Sequence, residues 1–210
     1  MIAGVEEAGR GPCIGPMIVA LAAIDDDTVL KELGVRDSKD LSREEREALV
    51  DPIHEHCTVA VRIVTPAMID DAVRGPSNLN WLTADVMADL INEVSPSTCI
   101  VDCPSTNIET FTSYVTRHVA NDVDLDVRHK ADRDEVIVGA ASIIAKFKRD
   151  AVIEALHDDV GVDFGSGYPS DPKTQRFIKA HYDDYDIFRT SWGTYQAVVA
   201  EEEQQTLNNM

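Results

Sequence analysis

Two adjacent carboxylates stand directly before a glycine turn in Val5-Glu6-Glu7-Ala8-Gly9-Arg10-Gly11. Neighbouring acids repel each other unless a cation sits between them. The glycines let backbone approach a ligand closely, and Arg10 supplies a planar fork suited to phosphate. Divalent metal held against a nucleic-acid backbone is the chemistry this set could do. The same heptamer also fits a strand running into a tight turn with solvated acids.

Further along, Thr98-Cys99-Ile100-Val101-Asp102 is a second apolar run ending in an acid. His129-Lys130-Ala131-Asp132 precedes the small and aliphatic run from Val136 to Lys146, which reads as a buried helix. A loop of composition Gly165-Ser166-Gly167-Tyr168-Pro169-Ser170-Asp171-Pro172 follows. Taken singly, Asp102 or Asp132 reads as a loop acid or a helix cap, and Tyr168 as a surface ring packed on prolines.

In order, these blocks together with Asp37-Ser38-Lys39 resemble the ribonuclease HII (type 2 ribonuclease H) family in its single-chain archaeal form. The resemblance runs from about Ile2 to about Trp192, with one departure: Glu6 stands where the family carries Asp. It implies an α/β fold, a ribonuclease H-like mixed five-stranded sheet flanked by helices with a C-terminal helical extension. It implies an endoribonuclease that hydrolyses the RNA strand of RNA–DNA hybrids and cuts 5′ to ribonucleotides embedded in duplex DNA. A two-metal mechanism using Mg2+ or Mn2+ would leave 3′-hydroxyl and 5′-phosphate ends. Glu6, Glu7, Asp102 and Asp132 are then the catalytic and metal-holding residues, with Glu6 and Asp102 bridging the ions. Gly9, Arg10 and Gly11 would read the ribose 2′-OH, Tyr168 would lie against the next sugar, and Lys39 would contact phosphate. The alternative reading is a hybrid-binding protein in which the longer Glu6 has weakened or abolished catalysis. A monomer is expected. The segment 204–210 loosely resembles a sliding-clamp peptide but lacks its paired aromatics, so a frayed terminus is the simpler reading.

The elements that must position these residues follow from periodicity. Strands are expected at 1–5, 17–24, 57–64, 98–102 and 124–128. Ser42 followed three residues later by Glu45 predicts a capped helix to about residue 56. Helical spacing predicts further helices at 78–94, 108–121, 134–156, 173–182 and 195–205. The glycine- and proline-rich stretch 161–172 marks an expected division between a catalytic core, 1–160, and a substrate-contacting loop with helical extension, 161–210. Lys146 and Arg149, one turn apart, read as a solvated face pairing with Asp150 or Glu154. Trp81 and Trp192 read as core, and His54, His118 and His181 as structural.

Of the 210 residues, 38 are acidic and 19 basic, a net charge of −19. Asp outnumbers Glu, and the acids fall in clusters such as Asp25-Asp26-Asp27 between aliphatic runs, which is the surface of a folded protein adapted to high salt. The four cysteines, Cys13, Cys57, Cys99 and Cys103, have no metal-ligand spacing and read as buried thiols. With charge by residue 6 and no apolar run of membrane-spanning length, a soluble cytoplasmic protein is expected. Screening of surface self-repulsion should stabilise such a fold. Melting temperature is therefore expected to rise from dilute to molar potassium chloride, and a flat or falling series would remove the high-salt reading.

Overall fold

The computed structural model describes residues 1–120 and 122–208, the side chains at 203 and 205–208 excepted. The elements run β1 (Ile2–Ala8), β2 (Met17–Ile24), α1 (Thr28–Glu32), α2 (Arg43–His56), β3 (Thr58–Val64), α3 (Pro66–Arg74) and α4 (Leu79–Val94). They continue with β4 (Thr98–Asp102), α5 (Ile108–His118), β5 (Asp124–Arg128), α6 (Ala131–Asp134), α7 (Val136–Val160), α8 (Pro172–His181) and α9 (Gly193–Asn208). The chain forms two compact units. One comprises Met1–Ala8, Ile18–Ile63 and Leu79–Lys148, the other Gly9–Met17, Val64–Asn78 and Arg149–Met210.

The first unit is built on the sheet, whose strand order is β3-β2-β1-β4-β5. The hairpin partner β2 is antiparallel to β1, while β4 is parallel to β1 and β5 parallel to β4. This is the expected mixed five-stranded sheet with flanking helices. Strand β1 is longer than its apolar run suggests. Its antiparallel pairing extends to Ala8 opposite Ile18, whereas its parallel pairing to β4 ends at Val5 opposite Val101. Glu6 and Glu7 therefore lie within the strand, at the point where β1 outruns β4.

Alternation places Ile2, Gly4, Glu6 and Ala8 on one face. On that face Ala8, Ile18, Ala20, Ala22, Ile24 and Ile100 join the core formed with Ile137, Ala141, Ile144 and their neighbours on α7. Every residue from Ile137 to Ala145 is buried, as expected of a helix apolar on all sides. Helix α2 opens with the expected capping box, Ser42 accepting from Glu45 N and Glu45 from Ser42 N. Three short elements were not legible from periodicity. Helices α1 and α6 are too short to show it, and α3 starts at a Thr65 cap followed by Pro66 at its first turn.

The second unit has its own core, in which Cys13, Ile14, Ile153, Phe164, Phe177, Ile178 and Phe188 are buried. Thr174 Oγ1 donates to the Phe164 carbonyl at 2.8 Å and accepts from Gly167 N at 3.0 Å, fixing the 164–168 loop onto α8. Buried Asp70 on α3 accepts from the backbone N–H and hydroxyl of both Thr190 and Ser191. Among the described residues, no helix is long and apolar enough to cross a membrane.

The tightest sheet–helix approach is at Gly4. A Cβ there would lie 2.5 Å from Val138 N and 2.6 Å from the Ile137 carbonyl, both backbone atoms. Gly4→Ala is expected to lower the melting temperature by several degrees, on the order of 1–3 kcal/mol for overpacking. An unchanged melting temperature would show that α7 can withdraw from the sheet at no cost.

Candidate active site

Glu6 and Asp102 sit at the same end of two neighbouring parallel strands. The β1–β4 register pairs Gly4 with Ile100 and Val5 with Val101, so one step further brings Glu6 level with Asp102 on the same face. Glu7, the next residue of β1, projects to the other face by strand alternation. Glu6 is 9% exposed and Asp132 3%. Burial, then the charges of Glu7 and Asp102, a hydrogen bond to Asp102 and the charge of Asp132 hold the Glu6 carboxyl well above the usual carboxylate range. The shift moves Glu6 toward its protonated form, the form a hydrogen bond to Asp102 favours. Its Oε2 is buried with no hydrogen-bond partner in the structure.

Asp102 also organises the segment that carries Asp132. Its Oδ1 accepts from Ala131 N at 2.8 Å, at the first turn of α6. Lys130, which precedes that turn, is left-handed at φ 60°, a conformation that costs a non-glycine residue about 1–3 kcal/mol and is found often at functional sites. Asp132 Oδ2 accepts from Lys39 Nζ at 2.7 Å. Burial works against the Lys39 ammonium, but the hydrogen bond and charge of Asp132, with Asp37 and Glu6, raise its pKa on balance.

The Asp37-Ser38-Lys39 loop is anchored from below. Ser38 shares a 2.8 Å hydrogen bond with Ser142 on α7 and accepts another from Lys146 Nζ. Asp37 accepts from Lys39 N at 2.9 Å and pairs with Arg133 at 3.3 Å. Burial, followed by repulsion from Lys39, pushes the Lys146 ammonium down. Among the described residues, no three His, Cys, Asp or Glu side chains stand in a ready ligand shell. The acids are arranged instead as the hydrogen-bonded pair Glu6 and Asp102, a lysine-capped aspartate and Glu7. An oxygen-rich set in which Glu7, Asp102 and Asp132 raise the Glu6 pKa, and in which Glu6 Oε2 is buried, fits a hard divalent cation.

In the second unit, Gly9-Arg10-Gly11 forms a turn whose carbonyls are all claimed by side chains. Arg189, fully buried, donates to the carbonyls of Gly9 at 2.6 Å, Arg10 at 2.8 Å and Gly15 at 3.0 Å. Trp192 Nε1 donates to the Gly11 carbonyl at 3.2 Å, and the Arg189 guanidinium lies 5.1 Å from the Trp192 ring centre. Burial, then repulsion from Arg149, lowers the Arg189 pKa to about 10, which leaves it charged at neutral pH. Gly9 has φ +80°, and a Cβ there would lie 2.5 Å from Arg149 Cδ and Nε, so both conformation and space require glycine. Tyr168 is 41% exposed. Its ring stands against the turn, Cε1 being 3.6 Å from where a Gly11 Cβ would sit, and the Arg149 guanidinium lies 5.4 Å from its centre.

Glu6, Glu7, Asp102, Asp132 and Lys39 thus gather in the first unit, and Gly9, Arg10, Gly11 and Tyr168 in the second. The solvated face expected for Lys146 and Arg149 is not present. Lys146 reaches Ser38, and Arg149 is 8% exposed, although it does lie 3.9 Å from Asp150. Their long side chains are drawn inward by a buried hydroxyl and by the Tyr168 ring. Trp81 is half-buried and stacks on Tyr114 with 4.4 Å between ring centres. Arg189 and Trp192 are the residues that sequence reasoning missed as parts of the turn, since 180 positions separate Arg189 from Gly9. The pKa of Glu6 generates a linkage. A carboxyl raised in the folded state loses stability as pH climbs from its unfolded value, about 4.3, toward its folded value. In chelator, Glu6→Gln is therefore expected to melt higher than wild type at pH 7–8, with the difference vanishing near pH 4. A gain that persisted at pH 4 would assign the effect to packing.

The ribonuclease HII family model matches residues 3–195. A ribonuclease HII from Thermofilum pendens is 43% identical over 208 residues, spanning 93% of this chain and 97% of that one. The crystal structure of the ribonuclease H2 from Pyrococcus horikoshii superposes with a TM-score of 0.87 at 36% identity, covering 94% of this chain and 96% of that one. A ribonuclease HII solved in a complex with PCNA from Archaeoglobus fulgidus gives 0.83 at 35% identity, covering 90% and 93%. With the sheet order, the strand-end acids and the glycine turn all in place, this chain belongs to the ribonuclease HII family and is a nuclease.

Proposed function

We propose that this protein is an endoribonuclease that hydrolyses the RNA strand of RNA–DNA hybrids and cuts 5′ to single ribonucleotides embedded in duplex DNA, leaving 3′-hydroxyl and 5′-phosphate ends. The observation that carries the reading is the pairing of buried Glu6 with half-buried Asp102 at adjacent strand ends, with Asp132 close by under Lys39. Glu6, Glu7, Asp102 and Asp132 would hold the divalent ions, Mg2+ or Mn2+. When bound, such ions supply Lewis-acid charge that activates water and stabilises the leaving oxygen. Lys39, no longer needed to neutralise Asp132, is then placed to meet a substrate phosphate. The Gly9-Arg10-Gly11 turn presents backbone to the ribose 2′-OH, the group that separates RNA from DNA. The exposed Tyr168 ring offers a flat apolar surface to the neighbouring sugar.

The family membership weighs against a protein that only binds hybrids. Glu6 keeps the carboxylate and, with its extra methylene, hydrogen-bonds Asp102. The net charge of −19 is no obstacle, because some of the basic residues, such as Arg10, Lys39 and Lys146, stand within the site motifs and strong salt limits the reach of repulsion to about 3 Å at 1 M. Cytoplasmic action at high salt accords with the acidic surface. By kinship with the PCNA-bound relative, a sliding clamp is the protein partner to test. Of its sequence handle, 204–210, the backbone of 204–208 belongs to α9, and residues 209 and 210 lie outside the described residues.

The test is cleavage of a duplex bearing one ribonucleotide, beside an all-DNA duplex of the same sequence, in manganese, magnesium or chelator. Cutting 5′ to the ribonucleotide only, and only with metal, is expected. Asp102→Asn should cut slower by two orders of magnitude or more, a loss of roughly 3 kcal/mol of transition-state stabilisation. Cleavage of the all-DNA duplex, or cleavage in chelator, would refute the assignment.

A further inference from the structure

The reading of Gly9-Arg10-Gly11 as a 2′-OH reader leaves open what fixes the direction of its peptides. Glycine-rich turns are the least restrained backbone in a protein, and an N–H that must meet one hydroxyl gains nothing from a mobile peptide. Three successive carbonyls of this turn, those of Gly9, Arg10 and Gly11, are held by two side chains, Arg189 and Trp192. A guanidinium has its donors in one rigid plane, so one side chain sets two of these peptides together and reaches Gly15 as a third point. No described peptide is cis. In a trans peptide the N–H points opposite to the carbonyl. Holding the Gly9 and Arg10 carbonyls on Arg189 therefore turns the N–H groups of Arg10 and Gly11 the other way.

Arg189 is itself fixed by its surroundings. It is fully buried, lies 5.1 Å from the Trp192 ring centre, and its own N–H donates to the Cys13 carbonyl at 2.8 Å. The residues that follow it, Thr190 and Ser191, are each tied twice to buried Asp70. A buried cation that spends its donors on the carbonyls of one turn is an expensive device for stability alone, since an apolar residue of similar volume often serves as well.

We propose that Arg189, with Trp192, is a positioning residue for sugar selectivity: it aims the amides of the Gly9-Arg10-Gly11 turn at the ribose 2′-OH without touching substrate. The proposal rests on the functional reading above. Lysine at 189 keeps the charge but cannot hold the three carbonyls in one plane, and phenylalanine at 192 keeps the ring but removes the donor to Gly11.

The experiment compares wild type, Arg189→Lys and Trp192→Phe for binding, by fluorescence anisotropy in chelator, to the single-ribonucleotide duplex and to its all-DNA counterpart. Wild type is expected to prefer the ribonucleotide by about tenfold, the worth of one well-placed hydrogen bond. Arg189→Lys should bring that preference close to unity with unchanged affinity for the all-DNA duplex, and Trp192→Phe should fall between. A preference equal in wild type and both variants, or equal weakening on both duplexes, overturns the proposal. If Arg189→Lys shows no cooperative melting, Trp192→Phe decides, and a preference equal to wild type overturns it. Failure of the functional reading shows differently, as wild-type protein that leaves the single-ribonucleotide duplex uncut in manganese.

Discussion

Like-charged carboxylates brought together at the end of one strand are the constraint from which the arrangement of the first unit follows. Two unit charges about 4 Å apart near a protein surface repel by roughly 4 kcal/mol, a large share of the 5–15 kcal/mol that typically holds a domain together. The protein meets this with a hydrogen bond between Glu6 and Asp102 and with the Lys39 ammonium on Asp132. Lys39 can serve because its loop is pinned by Ser142, Lys146 and Arg133. Neutralisation by groups that a cation can replace suits a metal-dependent nuclease, whose acids must persist in the fold and still be available.

The sheet makes this concentration of charge possible. A parallel neighbour whose pairing ends at Val101 and an antiparallel neighbour whose pairing continues to Ile18 leave Glu6 paired on one side only. The strand is thus held rigidly on one side where it carries the acid. Gly4, two residues earlier on the same face, lets the buried start of α7 press against β1. Backbone contact there leaves little freedom for the acids to drift.

The second unit solves a different problem with a related device. Its turn needs glycine to adopt φ +80° at Gly9, and glycine by itself gives no direction. Direction comes from donors of distant origin, Arg189 and Trp192, and from the Arg149 side chain against Gly9 and the Tyr168 ring. Buried cations are rare in any protein. In a chain with twice as many acidic as basic residues, two arginines buried around one turn are a notable use of scarce positive charge.

The sequence determined what local chemistry can determine. Apolar runs gave all five strands, Ser42 and Glu45 announced the capping box, and the ordered motifs announced the family. The extent of β1 was not legible, because whether a carboxylate can continue a strand depends on what surrounds it, and Asp102 and Asp132 lie about a hundred residues on. The inward turn of Lys146 and Arg149 was hidden for the same reason: helical spacing shows that two cations share a face but not what that face meets. Arg189 carried no signal, since its role consists of hydrogen bonds to carbonyls some 175 to 180 positions away. Composition and periodicity encode which residues are buried and which are acidic. Which buried donor meets which backbone carbonyl is decided only when the chain closes on itself, because hydrogen bonds are directional and short while sequence separation places no limit on them.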